Sequence, residues 1–380
     1  MTKIVDIEDI RKKREKKEIG IPIENINKKE LKRRGHEIGD ILGCDEKGEE
    51  ICVRKGKGNL YVDGNMEKEQ LFDFMRSQIY QNIQRGDSMV IVDLGSRIYK
   101  RELWIYLTIH GYRVDSYNMD CMTESDCFNC LDGLGAENEE QIVMIANDII
   151  DDQKYKFMTY PVETVCKALL SAVLLASLTE MEESDRNMLE IATIFRLGVS
   201  GTMLDKILHV MFEELDETSS AKQLFAMYSE AEEGIRMEAI QKIGNALAVY
   251  EKRANGSLCD NFRTNRYDME MPVKEKSVLF IESGQLPEDK VLFSVFMERL
   301  YDSMLKKAEE RQQDVPVMLL DSPYYGGLCG LEKYMEEGPE KGICTTLYED
   351  DRKLDGSGYA PHLVEPVSYT HLTLPTNSLV

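Results

Sequence analysis

Apolar positions along the chain fall into two regimes. Between 59 and 117, short apolar runs alternate with longer stretches of helical spacing. Asn59-Leu-Tyr-Val62 reads as a short strand, followed by a turn at Gly64 and helical spacing over 67–84. Met89-Val-Ile-Val-Asp-Leu94 is nearly continuous in apolar residues and carries an acid near its end, the pattern of a parallel strand covered on both faces. A helical stretch over 100–110, then Gly111, then a strand over 112–117 come next. Strand, helix and strand in short succession predict a doubly wound parallel sheet. From 141 onward strand signals vanish, and helical spacing recurs over 140–151, 162–178, 185–197, 204–215, 221–231 and 236–251. Asn255-Gly256 and the polar residues up to Asp268 mark the exit from this region. The α/β pattern then resumes with Ser277-Val-Leu-Phe-Ile-Glu282, a helix over 291–311, and Val315-Pro-Val-Met-Leu-Leu-Asp321.

The simplest topology is an all-α module spliced between two halves of one parallel sheet. The predicted division is a charged arm and small hairpin over 1–58, the first half of an α/β domain over 59–140, the inserted all-α domain over 141–265, and the second half over 266–366. Hairpin spacing comes from Gly43 to Gly58, with turn glycines flanking Glu50-Ile-Cys-Val-Arg54. The longest mainly apolar run, 168–178, is about half of the ~20 residues that a bilayer span needs. It reads as a buried helix, so no transmembrane segment is expected.

Charge narrows the partners. Against 47 Lys and Arg stand 69 Asp and Glu, a formal charge of −22, which repels phosphate backbones and argues against generalised nucleic-acid coating. The first 36 residues are the basic exception, with Arg11-Lys-Lys-Arg14, Lys16-Lys17, Lys28-Lys29 and Lys32-Arg33-Arg34 interleaved with acids. Two readings stand for this arm: a solvated helix or frayed segment, and electrostatic attachment to an anionic membrane or to DNA. The N-terminus lacks the apolar core of a secretory signal, and nine scattered cysteines form no disulfide framework. A cytoplasmic location is expected, with peripheral contact at the inner face of the cell membrane as the variant that the arm would allow.

The last stretch stands apart. Val367-Ser-Tyr-Thr-His-Leu-Thr-Leu-Pro-Thr376 resembles a reading frame of the transposon-end adapter used in shotgun sequencing libraries. Residues 367–380 therefore read as a sequencing artefact, and the natural chain is expected to continue beyond about residue 366.

In order and spacing, the pieces resemble the TraG/TraD family of conjugative DNA-transfer coupling proteins of type IV secretion systems, within the RecA-like ATPase superfamily. Ile26-Asn-Lys-Lys-Glu-Leu-Lys32 through Ile41-Leu-Gly43 looks like the segment leading into the family's first strand. Gly86-Asp-Ser-Met-Val-Ile-Val-Asp93, with Ile98-Tyr99, looks like the strand and flank of its D-P-K-G-E motif. Gly111-Tyr-Arg-Val114, Asn118, Ser125-Asp126, Phe128-Asn129 and Leu131 follow its G-Y-x-V…N-L…S-D-x-x-N-P-L pattern. Leu169-Leu-Ser-Ala172 resembles the opening of the family's α domain, and Val317-Met-Leu-Leu-Asp321 its Walker B strand. The resemblance spans nearly all of 26–358 and implies a RecA-like P-loop-NTPase-type sheet with an inserted all-α domain.

The chemistry-bearing positions depart from that family. A phosphate-cradling loop needs G-x-x-x-x-G-K-[ST], whose backbone N–H groups, lysine and hydroxyl hold phosphates and Mg²⁺. The matching loop here begins at Gly64, after which Glu69 replaces the second glycine, Gln70 the lysine and Leu71 the hydroxyl. A carboxylate close to a triphosphate costs on the order of 1–4 kcal/mol per pair. Lys68 lies two positions before the lysine site, and a shifted register would be needed to use it. The D-P-K-G-E motif reads Asp93-Leu-Gly-Ser-Arg97, and the D-E pair is Asp321-Ser322, so a serine stands where the carboxylate base would be. Near Gly342–Glu349, where the family carries a γ-phosphate-sensing glutamine, the chain offers Glu349-Asp-Asp351.

The resemblance therefore implies a coupling-protein homologue expected to be ATPase-deficient, a scaffold or adaptor of the transfer machinery. It implies ATP and Mg²⁺ as family cofactors. None is expected to be held here, and Asp321 is a metal ligand only if nucleotide binds. Implied partners are type IV secretion components and a relaxase or other cargo protein, with possible DNA contact and a possible homo-oligomer. An active divergent ATPase, and a soluble protein recruiting cargo through its α domain, are the alternative readings. Cys127-x-x-Cys130 with Cys121 is a weak zinc candidate that lacks a second ligand pair. Trp104 is expected in the core, and Tyr324-Tyr325-Gly-Gly327 is read as a turn.

Overall fold

The structure, a computed structural model, describes residues 3–6, 40–44, 50–54, 58–64, 68–94, 98–151, 159–198, 202–254, 262–283, 289–310, 331–349 and 365–369. Near the N-terminus, β2 (Asp40–Cys44) and β3 (Glu50–Arg54) form the expected antiparallel hairpin, with a register shift between Ile41 and Gly43. Among the described residues of the arm, β1 (Lys3–Asp6) is a strand that pairs parallel to β3, where no strand was expected. Residues 7–39, with the basic clusters, lie outside the described residues.

Three parallel strands make the core sheet. They are β5 (Met89–Leu94), β6 (Arg113–Asn118) and β7 (Ser277–Ser283), in the spatial order β5-β7-β6. The all-α region thus leaves the sheet after β6 and returns in β7 between the two earlier strands, whereas the first strand of the expected single sheet, at 60–64, pairs among the described residues only with two later strands in a separate set. Side chains alternate across the sheet. Met89, Ile91, Val278 and Phe280 face one cluster with α1 (Lys68–Arg85) and α2 (Ile98–Ile109), while Val90, Val92, Leu279 and Ile281 join the larger core on the other side. A second parallel set, β4 (Leu60–Gly64) between two later strands, contributes Leu60 to the α1–α2 side.

Glycines end the helices that deliver the strands. At Gly86 (φ +82°) α1 stops, and Asp87 N–H bonds the Asn82 carbonyl at 3.0 Å. At Gly111 (φ +77°) α2 stops, and Tyr112 N–H bonds the Leu107 carbonyl at 3.1 Å. Both are left-handed positions at helix C-termini, where a Cβ is unfavourable.

The insert comprises α3 (Glu139–Asp151), α4 (Tyr160–Glu180), α5 (Met188–Gly198), α6 (Thr202–Glu213), α7 (Ser220–Ser229) and α8 (Glu233–Ala254). Helix α4 is apolar around most of its circumference and buries every residue from Ala168 to Leu178, the signature of a central helix. Each fully buried Leu or Val there, such as Leu174 or Val173, contributes about 1.5–3 kcal/mol relative to exposure. By length and composition α4 could cross a membrane, but 78% of its most apolar window is buried inside the protein.

The short α9 (Met271–Lys274) precedes β7, and α10 (Asp289–Glu309), α11 (Leu331–Glu337), β8 (Thr346–Glu349) and β9 (Glu365–Tyr369) complete the chain. Both β8 and β9 pair parallel to β4, so three residues of the adapter-like stretch, 367–369, take part in a strand. Insert and sheet domain share one apolar core. Phe296 of α10 stacks on Tyr117 of β6 at 4.0 Å and meets Phe128 edge-on at 4.9 Å. At the end of α8, Arg253 bonds the buried Asp289 of α10 and lies 3.6 Å from Asp120. Trp104 differs from its expected place: it is 40% exposed on α2, with the Lys100 ammonium 5.8 Å from its ring centre. Because α2 buries Leu103 and Leu107 against the sheet, residue 104 falls on the outer side.

Candidate functional site

In doubly wound sheets, ligands meet the carboxyl ends of the strands. Here the register lines up Asp93 of β5, Glu282 of β7 and Asn118 of β6 in one row at that end. The strand and the helix that would flank a phosphate loop are both described. β4 ends at Gly64 and α1 begins at Lys68, so Lys68, Glu69, Gln70 and Leu71 form the first turn of a helix. The side chains of these residues lie outside the described ones, as do residues 65–67, Asp321, Ser322, Arg97 and 350–351 entirely.

The acid at the end of β5 is committed to the fold. Asp93 is 1% exposed, and its Oδ2 accepts the backbone N–H of Tyr99 at 2.8 Å and of Lys100 at 3.5 Å. Those N–H groups belong to the first turn of α2, which has no carbonyl partners of its own, and a carboxylate there also favours the helix dipole. One residue in β5 thus caps the helix that follows it.

Lys100 then turns toward the sheet. Its ammonium donates to Glu282 Oε2 at 2.6 Å and to the Ser116 hydroxyl at 2.9 Å, and that hydroxyl donates to Glu282 Oε2 at 2.7 Å. Ser116 and Glu282 are buried, and the Lys100 side chain is 19% exposed. This ammonium, charge-paired and doubly bonded, is aimed at β6 and β7 rather than outward.

Beyond β6 the loop closes the sheet edge. Asp126 exchanges bonds with the edge strand: Ser116 N–H donates to its Oδ2 at 3.1 Å, and its own N–H donates to the Ser116 carbonyl at 2.8 Å. The Asn118 N–H donates to Ser125 Oγ at 2.9 Å, and Asn118 Oδ1 accepts from Asp120 and Cys121. Asn129, buried, donates to the carbonyls of Arg186 at 2.8 Å and Arg263 at 3.4 Å and accepts from Leu131 N–H. It ties the loop to the middle and the exit of the insert.

Sequence reasoning singled out Asp93, Ser125, Asp126 and Asn129 but missed Lys100, Ser116 and Glu282. A signal was there for Glu282: like Asp93, it is an acid closing an otherwise apolar strand. For zinc, no group of three or more His, Cys, Asp or Glu among the described residues can hold a metal. Cys127 and Cys130 are buried, and burial pushes the Cys130 thiol up to about 12, as for a small apolar core residue.

No protein-family model matches the chain, and no curated protein matches it significantly. Solved structures do. The ΔN70 form of the bacterial conjugative coupling protein TrwB, unbound, superposes with a TM-score of 0.58 at 13% identity, over 89% of this chain and 72% of that one. Its trigonal form in complex with sulphate gives 0.57 at 14% identity, over 89% and 74%. TrwB with the non-hydrolysable ATP analogue ADPNP gives 0.54 at 14%, over 89% and 75%. The strand order, the all-α insert and this breadth of superposition together give the chain the fold of the bacterial conjugative coupling protein TrwB.

Proposed function

We propose that the chain serves a type IV secretion or conjugative DNA-transfer machine as a coupling-protein homologue that has kept the fold without the motor. One juxtaposition carries this reading. At the turn where a P-loop would grip phosphate, the flanking strand and helix remain, but Glu69, Gln70 and Leu71 stand in the first turn of α1 in place of glycine, lysine and hydroxyl. The carboxyl end of the core sheet is likewise taken up by the fold, since Asp93 caps α2 and Lys100 is bound to Glu282 and Ser116. A helix N-terminus fronted by acid no longer offers the anion site that such a loop normally makes.

In this reading the protein acts as a scaffold or adaptor, its all-α insert presenting a surface to a cargo protein such as a relaxase. No ATP or Mg²⁺ is needed for that role.

The test is an ATPase assay on the purified chain with and without single-stranded DNA, beside the variant Asp321→Ala. The expected result is no turnover above background in any arm. Hydrolysis that single-stranded DNA stimulates and Asp321→Ala abolishes would overturn the reading and establish the divergent motor instead.

A further inference from the structure

Where α3 of the insert crosses α10 of the sheet domain, two acids meet. Asp148 of α3 is 4% exposed and Glu298 of α10 is 3% exposed, and the two carboxyls lie within hydrogen-bonding reach of each other. Two carboxyl groups at that range can bond only through a proton on one of them. The other Glu298 oxygen accepts the hydroxyl of Tyr334, from α11, at 3.3 Å. Glu298 Oε2 and Asp148 Oδ2 are both sealed from water, and Glu298 Oε2 accepts from no N–H or O–H donor among the described residues.

The charged and titratable surroundings favour the proton. From α10 itself Asp302 adds negative charge, and from α11 Tyr334 is a neutral donor. Arg299, also on α10, is turned away and donates to the Asp132 carbonyl at 3.1 Å. From α8 the buried Tyr250 hydroxyl lies near Asp148. Burial first, and then Asp148, hold the Glu298 carboxyl well above the usual carboxylate range.

We propose that Asp148 and Glu298 form a one-proton latch that fastens the all-α insert onto α10 and loosens when the shared proton leaves. The direction follows from linkage. An acid protonated in the folded state but ionised in the unfolded chain stabilises least at high pH. The contact is therefore tight below the ordinary glutamate value of about 4.3 and weakens as pH rises from there through neutrality. A single proton changes the opening constant by up to about tenfold per pH unit.

Glu298→Gln is the decisive variant. Its amide keeps an oxygen for Tyr334 and supplies Asp148 with a permanent N–H donor in place of the proton. Amide hydrogen exchange of the full chain is compared with the variant at one pH at a time. At about pH 5 the α3 and α10 amides should be equally protected in both. At about pH 9 they should exchange at least about tenfold faster in the parent. Equal protection at both values would overturn the latch. Should the variant fail to fold, infrared spectroscopy of the parent decides alone. A protonated-carboxyl C=O band persisting at neutral pH is expected, and its absence would overturn the proposal.

Discussion

Replacing Lys100 with methionine asks how much the fold relies on the charge network at the strand ends. Methionine keeps most of the stem and removes the ammonium that sits 2.6 Å from Glu282 Oε2. The carboxylate, 5% exposed, is left with the Ser116 hydroxyl as its described donor. Breaking one side of a buried pair costs about 3–5 kcal/mol, because a desolvated charge loses its partner. The Lys100 side chain is 19% exposed, so solvent offsets part of that and about 2–3 kcal/mol is expected. Urea unfolding at neutral pH is the assay. With a slope of about 1–3 kcal/mol per molar, the midpoint should fall by about 1 M or more. Adding Glu282→Gln removes the stranded charge and should recover at least half the loss, a coupling of about 1 kcal/mol or more. A single Lys100→Met variant within about 0.5 kcal/mol of the parent would refute the network as a structural element.

Two further outcomes concern the packing on the sheet and the tie between its loop and the insert. Phe296→Ala deletes a fully buried ring stacked on Tyr117 at 4.0 Å and should cost about 3–5 kcal/mol in chemical denaturation; a loss below about 1 kcal/mol would contradict the packing of α10 on β6. Asn129→Ala removes a clamp on the Arg186 and Arg263 carbonyls and should cost about 1–3 kcal/mol, with faster amide exchange in the segments around residues 186 and 263; unchanged exchange there would contradict its role.

What the sequence made legible was periodicity and order. The run from Met89 to Leu94 and the stretch from Ser277 to Ser283 are apolar because the sheet is covered on both faces, so both strands stood out. The central helix α4 was marked in the same way by apolar residues all round. Ser125, Asp126 and Asn129 could be singled out as a motif, but their work could not, since each acts on backbone groups brought close only by folding. Lys100 was hidden for a related reason. On a helix of mixed character, one lysine looks like solvent-facing charge until Ser116 and Glu282, far away in sequence, close around it. Trp104 misled because large aromatic residues are usually buried, whereas here Leu103 and Leu107 occupy the inward face of α2. At residues 3–6, no apolar alternation announces a strand, and its pairing with β3 is carried by backbone groups.

The claim that the fold has outlived its grip on nucleotide is tested most directly by isothermal titration of the full chain with Mg-ATP. The account predicts no saturable heat up to millimolar nucleotide, because Glu69 and Gln70 occupy positions where a phosphate loop needs glycine and lysine. A magnesium-dependent dissociation constant in the micromolar range would contradict it.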